Sequence, residues 1–253
     1  MVIPRALLTL LASLVPATFW VPSLYATEES KGQWSWGLGV FSSPDIYRDA
    51  SPRTIPVPII AYNSERLHIF GPFVAYDVYR HDKLTASLRL KPVFAGYDES
   101  DSPVFDGMDD RAFSLAGGAG LEYMPSFLKF RLSAEHDVLG INNGYESLAG
   151  VSLRLPLKGV LIEPGVALNY QSSNYVNYYY GVETSEAREG RPAYSPSGVL
   201  NQDFSVALAT RKLFGGMTRF QITYTQYGDE IADSPLTDRD DSLGLSLTFG
   251  KSF

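Results

Sequence analysis

The chain of 253 residues contains no cysteine and only three histidines. Without cysteine it can form no disulfide, no thiolate nucleophile, no cysteine-ligated metal and no lipid-modified cysteine at a cleavage site. His68, His81 and His136 do not follow a metal-ligand spacing, and no Gly-x-Ser-x-Gly motif occurs. We therefore predict a noncatalytic protein without a metal or another cofactor, and treat a hydrolase as the weaker alternative.

Charged residues are also few, at 19% of the chain, and acidic residues outnumber basic ones by 28 to 21. A nucleic-acid-binding protein presents a basic surface, so we do not expect nucleic acid as a partner. After residue 26, no uninterrupted apolar run reaches the ~18 residues that a membrane-spanning helix needs. If this chain crosses a membrane, its strands must satisfy one another's backbone hydrogen bonds.

The first segment has the pattern of an export signal. Arg5 is its only charge, the apolar run Ala6–Val15 follows, and Ala26 is a small residue suited to cleavage. A retained membrane anchor is the alternative, but two prolines would interrupt its helix. We predict that residues 1–26 are a cleaved signal peptide and that residues 27–253 form one domain.

The last segment alternates apolar and small or polar residues with a period of two. Its apolar face carries Leu243, Leu245, Leu247, Phe249 and Phe253. A soluble β-sandwich also has such strands, but it does not explain an export signal combined with an aromatic carboxy-terminus. The recurring alternation predicts an all-β fold, a transmembrane antiparallel β-barrel in the outer membrane of a Gram-negative bacterium.

The strand count follows from the topology of bacterial barrels, which have an even number of strands and both termini in the periplasm. The alternation marks eleven segments, and the segment 67–79 contains Gly71-Pro72. Because proline cannot donate to a strand ladder, we divide this segment into a hairpin and predict about 12 strands. Short connections then alternate with longer ones, and we expect the short set in the periplasm and the long set outside the cell. The short set is 63–66, 80–83, 124–127, 156–159 and 213–216, and the long set is 42–53, 95–110, 139–144, 171–199 and 229–240.

The predicted inward face carries charges of both signs. The basic residues are Arg89, Lys91, Lys129, Arg131, Arg154, Arg211 and Arg219, and the acidic ones are Glu122, Glu135, Glu163 and Asp203. Paired charges would plug a narrow barrel, because an unpaired charge in a confined site is costly. The excess of basic residues would alternatively line a solute path with a weak preference for anions. A 12-stranded barrel has little room for such long side chains, so we favour the plug.

Two of the long connections have a distinctive composition. Loop 95–110 has six carboxylates without a fixed spacing, which is typical of a solvated acidic loop more than of a divalent-cation site. Loop 171–199 is rich in tyrosine, a residue suited to a recognition surface. It could equally contribute to the aromatic girdle and fold over the mouth of the barrel.

These loops also carry the motifs of a known family. Two motifs, Tyr179-Tyr180-Gly181-Val182 and the later Asp233-Ser234-Pro235-Leu236, resemble the MipA/OmpV family of outer-membrane proteins. The resemblance extends to Ser185–Ala187, Arg191–Tyr194, Gly39–Pro44, Pro56-x-Pro58, Gly107–Arg111 and the terminal strand. The resemblance covers most of residues 34–253. Family members usually carry Phe at the position of Tyr180.

The resemblance implies a noncatalytic outer-membrane barrel. It further implies the role of the member that gives the family its name, which looks like a scaffold linking a murein-degrading lytic transglycosylase to a bifunctional murein synthase. Other members are associated with adhesion, osmotic response or antibiotic tolerance. Our first hypothesis for this chain is a scaffold for murein enzymes that contacts them through its short periplasmic turns. A small channel with a partly basic lumen and a surface adhesin or receptor acting through loop 171–199 are the alternatives.

Two further partners follow from the barrel itself. Its outward face would contact outer-membrane lipids, and its last strand, with Phe249 and the terminal Phe253, would be the signal that the barrel-assembly machinery recognises.

Overall fold

The computed structural model describes residues 32–43 and 45–253, so the predicted signal peptide lies outside the described residues. The described residues contain thirteen strands. They are β1 (Gln33–Ser43), β2 (Arg53–Asn63), β3 (Leu67–Phe70), β4 (Phe73–His81), β5 (Leu84–Val93), β6 (Ser114–Tyr123), β7 (Leu128–Asp137), β8 (Tyr145–Leu153), β9 (Leu155–Leu157), β10 (Val160–Gln171), β11 (Val199–Thr210), β12 (Met217–Gln226) and β13 (Asp241–Ser252). Two helices follow long strands, α1 (Ser173–Tyr180) and α2 (Asp229–Ala232), and two 3-10 helices lie at Glu99–Asp101 and Pro103–Phe105.

The strands form one closed antiparallel barrel. Each strand pairs with its neighbours along the chain, and β13 pairs with β1 from Ser35↔Ser252 to Ser42↔Leu245, which joins the two ends of the sheet. The strands β8 and β9 both pair with β10 and are separated only by Arg154, so together they occupy one position in the wall. The wall therefore has twelve positions, and the predicted strand count is confirmed.

The faces of the barrel are the reverse of those of a soluble protein. Large apolar side chains point outward and are about half exposed, as Trp36 (52%) and Leu132 (54%) show. Polar and charged side chains of the same strands point inward and are buried, as Ser35 and Glu135 show. A belt of apolar side chains around a polar interior suits a barrel surrounded by lipid. Among the described residues, no helix is both long and apolar enough to cross a bilayer.

The hairpin predicted at Gly71-Pro72 is confirmed. Phe70 and Phe73 pair directly, and the two residues between them form the turn. Gly71 has a φ of +55°, a conformation that glycine adopts without steric cost. A missing N–H at Pro72 costs nothing there, because a turn residue has no strand partner.

Three local predictions were wrong. The connection predicted at 156–159 is a two-residue turn at Lys158-Gly159, whose positive φ values of 48° and 87° suit a tight hairpin, and Leu155–Leu157 is strand. Arg211, expected on the inward face, is exposed in the turn that follows β11. Loop 171–199 begins with helix α1, which the tyrosine-rich sequence did not suggest.

The largest apolar core of the described chain lies in the long connections, over one end of the barrel. We call it the loop cap. Its buried members are Ile46, Tyr47, Val93, Tyr97, Val104, Phe105, Met108, Ala116, Tyr175, Val176, Tyr179, Tyr180, Val182, Val199, Ile231 and Leu236. The rings of Tyr97 and Phe105 stack with centroids 3.8 Å apart. Because four connections contribute to one core, they pack as a lid and do not project as separate loops.

Candidate functional site in the lumen and its loop cap

Two groups of ion pairs fill the lumen. In the first, Lys91 of β5 contacts Glu146 of β8 with Nζ and Oε2 2.7 Å apart, and Arg89 of β5 contacts Glu135 of β7 at 2.9 Å. Successive side chains of β5 point alternately to the two faces of the wall, so Arg89 and Lys91 both point inward while Leu88 points to the lipid side. These pairs connect strands that are two and three wall positions apart, so they bridge the intervening strands on the lumen side.

The second group is centred on Glu163 of β10. Its carboxylate lies 2.5 Å from Arg219 of β12, 3.5 Å from Arg154 and 3.9 Å from Lys129 of β7. Lys129 also lies 3.7 Å from Glu122 of β6. One carboxylate thus faces three cations, and the second carboxylate balances part of that charge.

Arg131 departs from the predicted pairing. It lies opposite Glu122 in the β6–β7 register and points inward. Among the described residues it forms no ion pair of its own, and its Nε has no hydrogen-bond acceptor. The predicted pairing of Arg131 with a lumen carboxylate was therefore wrong, while the pairings of Arg89 and Arg154 with Glu135 and Glu163 are present.

Little open space remains between these side chains. A small cavity lined by Arg89, Lys91, Arg131, Glu135 and Glu146 has room for roughly one water molecule. Removal of one partner from a buried ion pair leaves an uncompensated charge, which destabilises a protein strongly. Eight of the eleven predicted lumen charges therefore form a charged plug together with Glu146, which the sequence analysis missed. Of the other three, Arg131 lies beside these pairs, Asp203 accepts a hydrogen bond from Thr225, and Arg211 is exposed in a turn.

The loop cap is fastened by a second set of charged side chains. Both carboxylate oxygens of Glu186 lie 2.8 Å from Nη2 of Arg111, and Glu186 also accepts hydrogen bonds from the backbone N–H groups of Asp109 (3.1 Å) and Glu183 (3.0 Å). Burial alone would raise the pKa of the Glu186 carboxyl. The hydrogen bonds outweigh that effect, so its pKa lies below the usual 4.5.

Arg191 links two connections through backbone carbonyls. Its guanidinium donates to the carbonyl oxygens of Glu186 (2.6 Å), Asp106 (3.1 Å) and Val104. Arginine has five N–H donors in a fixed fork, so one side chain can satisfy several otherwise unpaired acceptors. Arg111, Glu186 and Arg191 all belong to segments of the family resemblance, but the sequence did not predict that they form one site, because their partners lie up to 87 residues away in the chain.

The family-motif residues meet in the loop cap. The Tyr47 hydroxyl donates to the carbonyl of Tyr179 (3.1 Å), and the Ser234 hydroxyl donates to the carbonyl of Tyr180 (2.7 Å). Gly181 ends α1, and a Cβ there would lie only 2.3 Å from the carbonyl oxygen of Asn177. Val182 then pairs with Tyr194 in an isolated bridge. The Tyr-Tyr-Gly-Val segment is therefore a packing element of the cap.

The second motif, Asp233-Ser234-Pro235, forms the turn that follows α2. The Asp233 N–H bonds to the carbonyl of Asp229 (2.8 Å), and the Ser234 carbonyl accepts from the N–H of Thr237 (3.0 Å), with Pro235 half-buried between them. The turn presents Ser234 to α1. The two motifs are thus in direct contact in the fold, through residues that are 54 positions apart in sequence.

A family model described as "MltA-interacting protein MipA" matches residues 36–253. The chain belongs to the MipA family. Outer membrane protein OmpV of Vibrio cholerae is 28% identical over 214 residues, and outer membrane protein Omp26La of Vibrio anguillarum is 27% identical over 214 residues, with 82% of both chains covered in each case. The MltA-interacting protein of Escherichia coli is 25% identical over 213 residues, which cover 83% of this chain and 86% of that protein.

The barrel also resembles a solved outer-membrane protein. The COG4313 outer membrane channel from Pseudomonas putida F1 aligns with 92% of this chain and 99% of its own, at 10% identity and a TM-score of 0.47. The relatives of this MipA-family protein are named as outer membrane proteins, and its fold is a lipid-facing barrel. This chain is therefore an outer-membrane β-barrel, as the alternation and the family resemblance predicted.

The terminal strand of this MipA-family protein closes the barrel. Phe249 points outward beside Trp36, with ring centroids 6.0 Å apart, and Phe253 follows the strand with 79% of its surface exposed. A strand that pairs with β1 on one side and β12 on the other must be in place before the wall is continuous. The structure does not show what recognises Phe253, so the assembly signal stays a prediction.

The three histidines occupy different surroundings. His68 is buried, and its Nε2 lies 3.1 Å from Asp77, which also contacts Arg80. His136 and His81 are exposed. Among the residues that the structure describes, no group of three or more His, Asp and Glu side chains is arranged to hold a metal ion. The Asp77 and Arg80 partners of His68 were not predicted.

Proposed function

We propose that this protein is a noncatalytic, non-conducting outer-membrane scaffold for murein synthesis and remodelling enzymes. The observation that carries the proposal is the charged plug, in which Lys91–Glu146 and Arg89–Glu135 bridge intervening strands inside the lumen and Glu163 holds three cations. Ion pairs inside the lumen and a packed cap over one end both favour a closed barrel over an open solute path. The part of the molecule that remains for a function is its surface.

The names of relatives point to the class of partner. Proteins of Escherichia coli and Shigella flexneri with 25% identity are named MltA-interacting proteins. By this analogy, the partner of this chain is a murein hydrolase or a murein synthase in the periplasm. We place both termini and the short turns on the periplasmic side, after cleavage of residues 1–26, and the loop cap outside the cell.

The short turns predicted for the periplasm all lie at one end of the barrel, which we call the turn end. Its surface is suited to an acidic partner. Its exposed basic side chains are Arg66, Arg80, Lys83, Lys158, Arg211, Lys212 and Lys251, whereas its exposed acidic side chains are Glu65 and Asp82. Phe214 stands out from this end with 82% of its surface exposed. A stable interface buries about 800 Å² per partner, which is more than one short turn offers, so several turns must contact the partner together.

Two measurements test the proposal. Purified protein in planar bilayers should give no steady conductance steps, whereas anion-preferring steps that change in Arg131→Ala would favour the small channel. Murein hydrolase or synthase from the same bacterium should bind the reconstituted barrel, and the triple variant Lys83→Glu, Lys158→Glu, Lys212→Glu should reduce that binding at least tenfold. Equal binding by this variant and by a loop-side control, Glu189→Lys, would contradict the assignment of the turn end.

A further inference from the structure

The barrel wall is incomplete beside strand β2. Along its whole length, β2 pairs with β1, but β3 pairs with it only at Ala61, Tyr62 and Asn63. The β3–β4 hairpin turns back at Gly71, and β4 accompanies β5 only as far as Leu90. Among the described residues, positions 53–60 of β2 therefore have no strand partner on the side away from β1. We call the region between this edge and the end of β5 the wall opening.

The dimensions of the wall opening follow from the strand order. The strands β2, β3, β4 and β5 are successive neighbours, so β2 and β5 are separated by three strand spacings at the level of the hairpin. At about 4.8 Å per spacing, the backbones of β2 and β5 are about 14 Å apart there, which leaves the space of the two missing strands between them. An acyl chain is narrow enough to enter a gap of this size.

Two prolines mark the edge of the wall opening. The Ile60 carbonyl accepts from the Gly71 N–H (3.0 Å), so even-numbered residues of β2 direct their backbone groups away from β1. Pro56 and Pro58 share this direction, and neither has an N–H group. Proline is typical of edge strands, where it prevents another strand from adding to the sheet. A peptide strand would find carbonyl acceptors but no donors at these two positions, so the edge is unsuited to a protein strand.

The wall opening lies at the depth of the outward apolar belt. Pro58 is paired with Leu38, whose side chain is about half exposed on the lipid side, and Ile60 beside it is 63% exposed. The last outward pair of the two strands is polar, because the hydroxyls of Ser42 and Thr54 form a hydrogen bond of 2.9 Å. Pro56 and Pro58 therefore lie on the membrane side of the Ser42–Thr54 pair, where the outward apolar belt faces acyl chains.

The inner surface behind the wall opening is apolar, unlike the charged plug. Phe41 of β1 and Ile55 of β2 form a small buried cluster, and Val57 and Phe94 pack against it. Ile59 continues this surface and is also buried. Phe94 comes from the connection after β5, so one aromatic ring reaches from the far side of the opening to β2. Both faces of β2 at this edge are therefore apolar, with Pro58 and Ile60 outward and Val57 and Ile59 inward.

We propose that the wall opening is a lateral binding site for an acyl chain of the surrounding membrane lipid. The chain crosses the proline edge and packs against Val57 and Phe94. Three observations support this occupant: the opening lies at the depth of the lipid-facing belt, its lining is apolar, and the prolines exclude a protein strand. The site is independent of the scaffold function, because it lies in the wall and not at the turn end.

Contact with acyl chains can be measured at single positions, because the chain has no cysteine of its own. A bimane label is attached to Val57→Cys, which lies behind the opening. The matched control is Ser205→Cys, also inward and half-buried, on a strand that is hydrogen-bonded on both sides. The outward neighbour Val206→Cys is the positive control. Each folded variant is reconstituted in phosphatidylcholine with or without bromine on its acyl chains.

We expect brominated chains to quench the label at 57 to a similar extent as at 206, and several times more than at 205. Adding Phe94→Ala should increase quenching at 57, since it removes a bulky ring from the lining and widens the access to Val57. If Val57→Cys does not fold, as judged by heat-modifiable mobility, Ile59→Cys replaces it with the same expectation. Quenching at 57 that is no greater than at 205, or that occurs only with aqueous iodide, would overturn the proposal.

Discussion

Lys91 on β5 and Glu146 on β8 form an ion pair of 2.7 Å between strands that are three wall positions apart. Both side chains are buried, and Gln171 donates a further hydrogen bond of 3.2 Å to the same carboxylate. The pair connects two strands a quarter of the way around the twelve-position wall from each other, through the lumen. A barrel that conducts solutes would have to keep the lumen open at this level. The same ion pair therefore stabilises the barrel wall and obstructs the lumen.

Loss of one lumen carboxylate should destabilise the barrel without opening a pore. In Glu135→Ala the Arg89 guanidinium loses its partner at 2.9 Å, and the unpaired buried charge should lower the free energy of unfolding by about 3 kcal/mol. Urea unfolding in detergent, followed by heat-modifiable mobility, measures the change. The control is Asp238→Ala, which removes an exposed pair with Arg239 and should cost less than about 1 kcal/mol. Unchanged unfolding of Glu135→Ala would refute the plug.

The loop cap should loosen in acid because of Glu186. Its folded-state pKa lies below the usual 4.5, so its stabilising effect is fully present above pH 4.5 and is lost as the pH falls through the lowered value. Near-ultraviolet circular dichroism of the buried tyrosines reports the packing of the cap. In Glu186→Gln the cap should already be weakened at pH 7 and should show a smaller change on acidification. A wild-type signal that stays constant below pH 4.5 in the folded barrel would contradict this role.

The carboxy-terminal strand should be required for assembly. Deletion of residues 249–253 removes the outward Phe249 and the last β1 pairings, including Ser35↔Ser252 and Leu38↔Phe249, so β1 and β13 would close the wall less completely. Phe253→Ser keeps those pairings and tests the terminal aromatic by itself. We expect both variants to reduce the folded, heat-modifiable fraction in the outer membrane, the deletion more than the substitution. Normal folding and localisation of the deletion variant would remove the basis for an assembly signal.

The orientation of the barrel can be tested with inserted epitopes. Gly190 has a φ of +78°, and a Cβ built there would meet no atom within 4 Å, so an insertion after it should leave the cap intact. We expect an epitope there to be labelled on intact cells, and one between Lys158 and Gly159 to require permeabilised cells. The reverse labelling pattern would place the loop cap in the periplasm and the turns outside.

The alternation of the sequence determined the fold class and the contents of the lumen. A period of two assigns each side chain to one face of a strand, so Arg89, Glu135 and Glu163 were predicted inward and Leu245 outward, as the structure has them. The same logic failed at Arg211, because the strand ends at Thr210 and the face rule has no meaning in a turn.

Only the tertiary structure decided which charges meet. Glu163 contacts Arg219, Arg154 and Lys129, which come from three parts of the chain, whereas Arg131 forms no ion pair among the described residues. The alternation of the sequence had assigned Glu163 and Arg131 to the inward face equally clearly. Pairing depends on strand register, tilt and side-chain reach, which act between distant segments and leave no periodic mark in the sequence. The same holds for the loop cap, where Arg111 meets Glu186 across 75 residues. Local sequence decides which way a side chain points, while closure of the barrel decides what it meets.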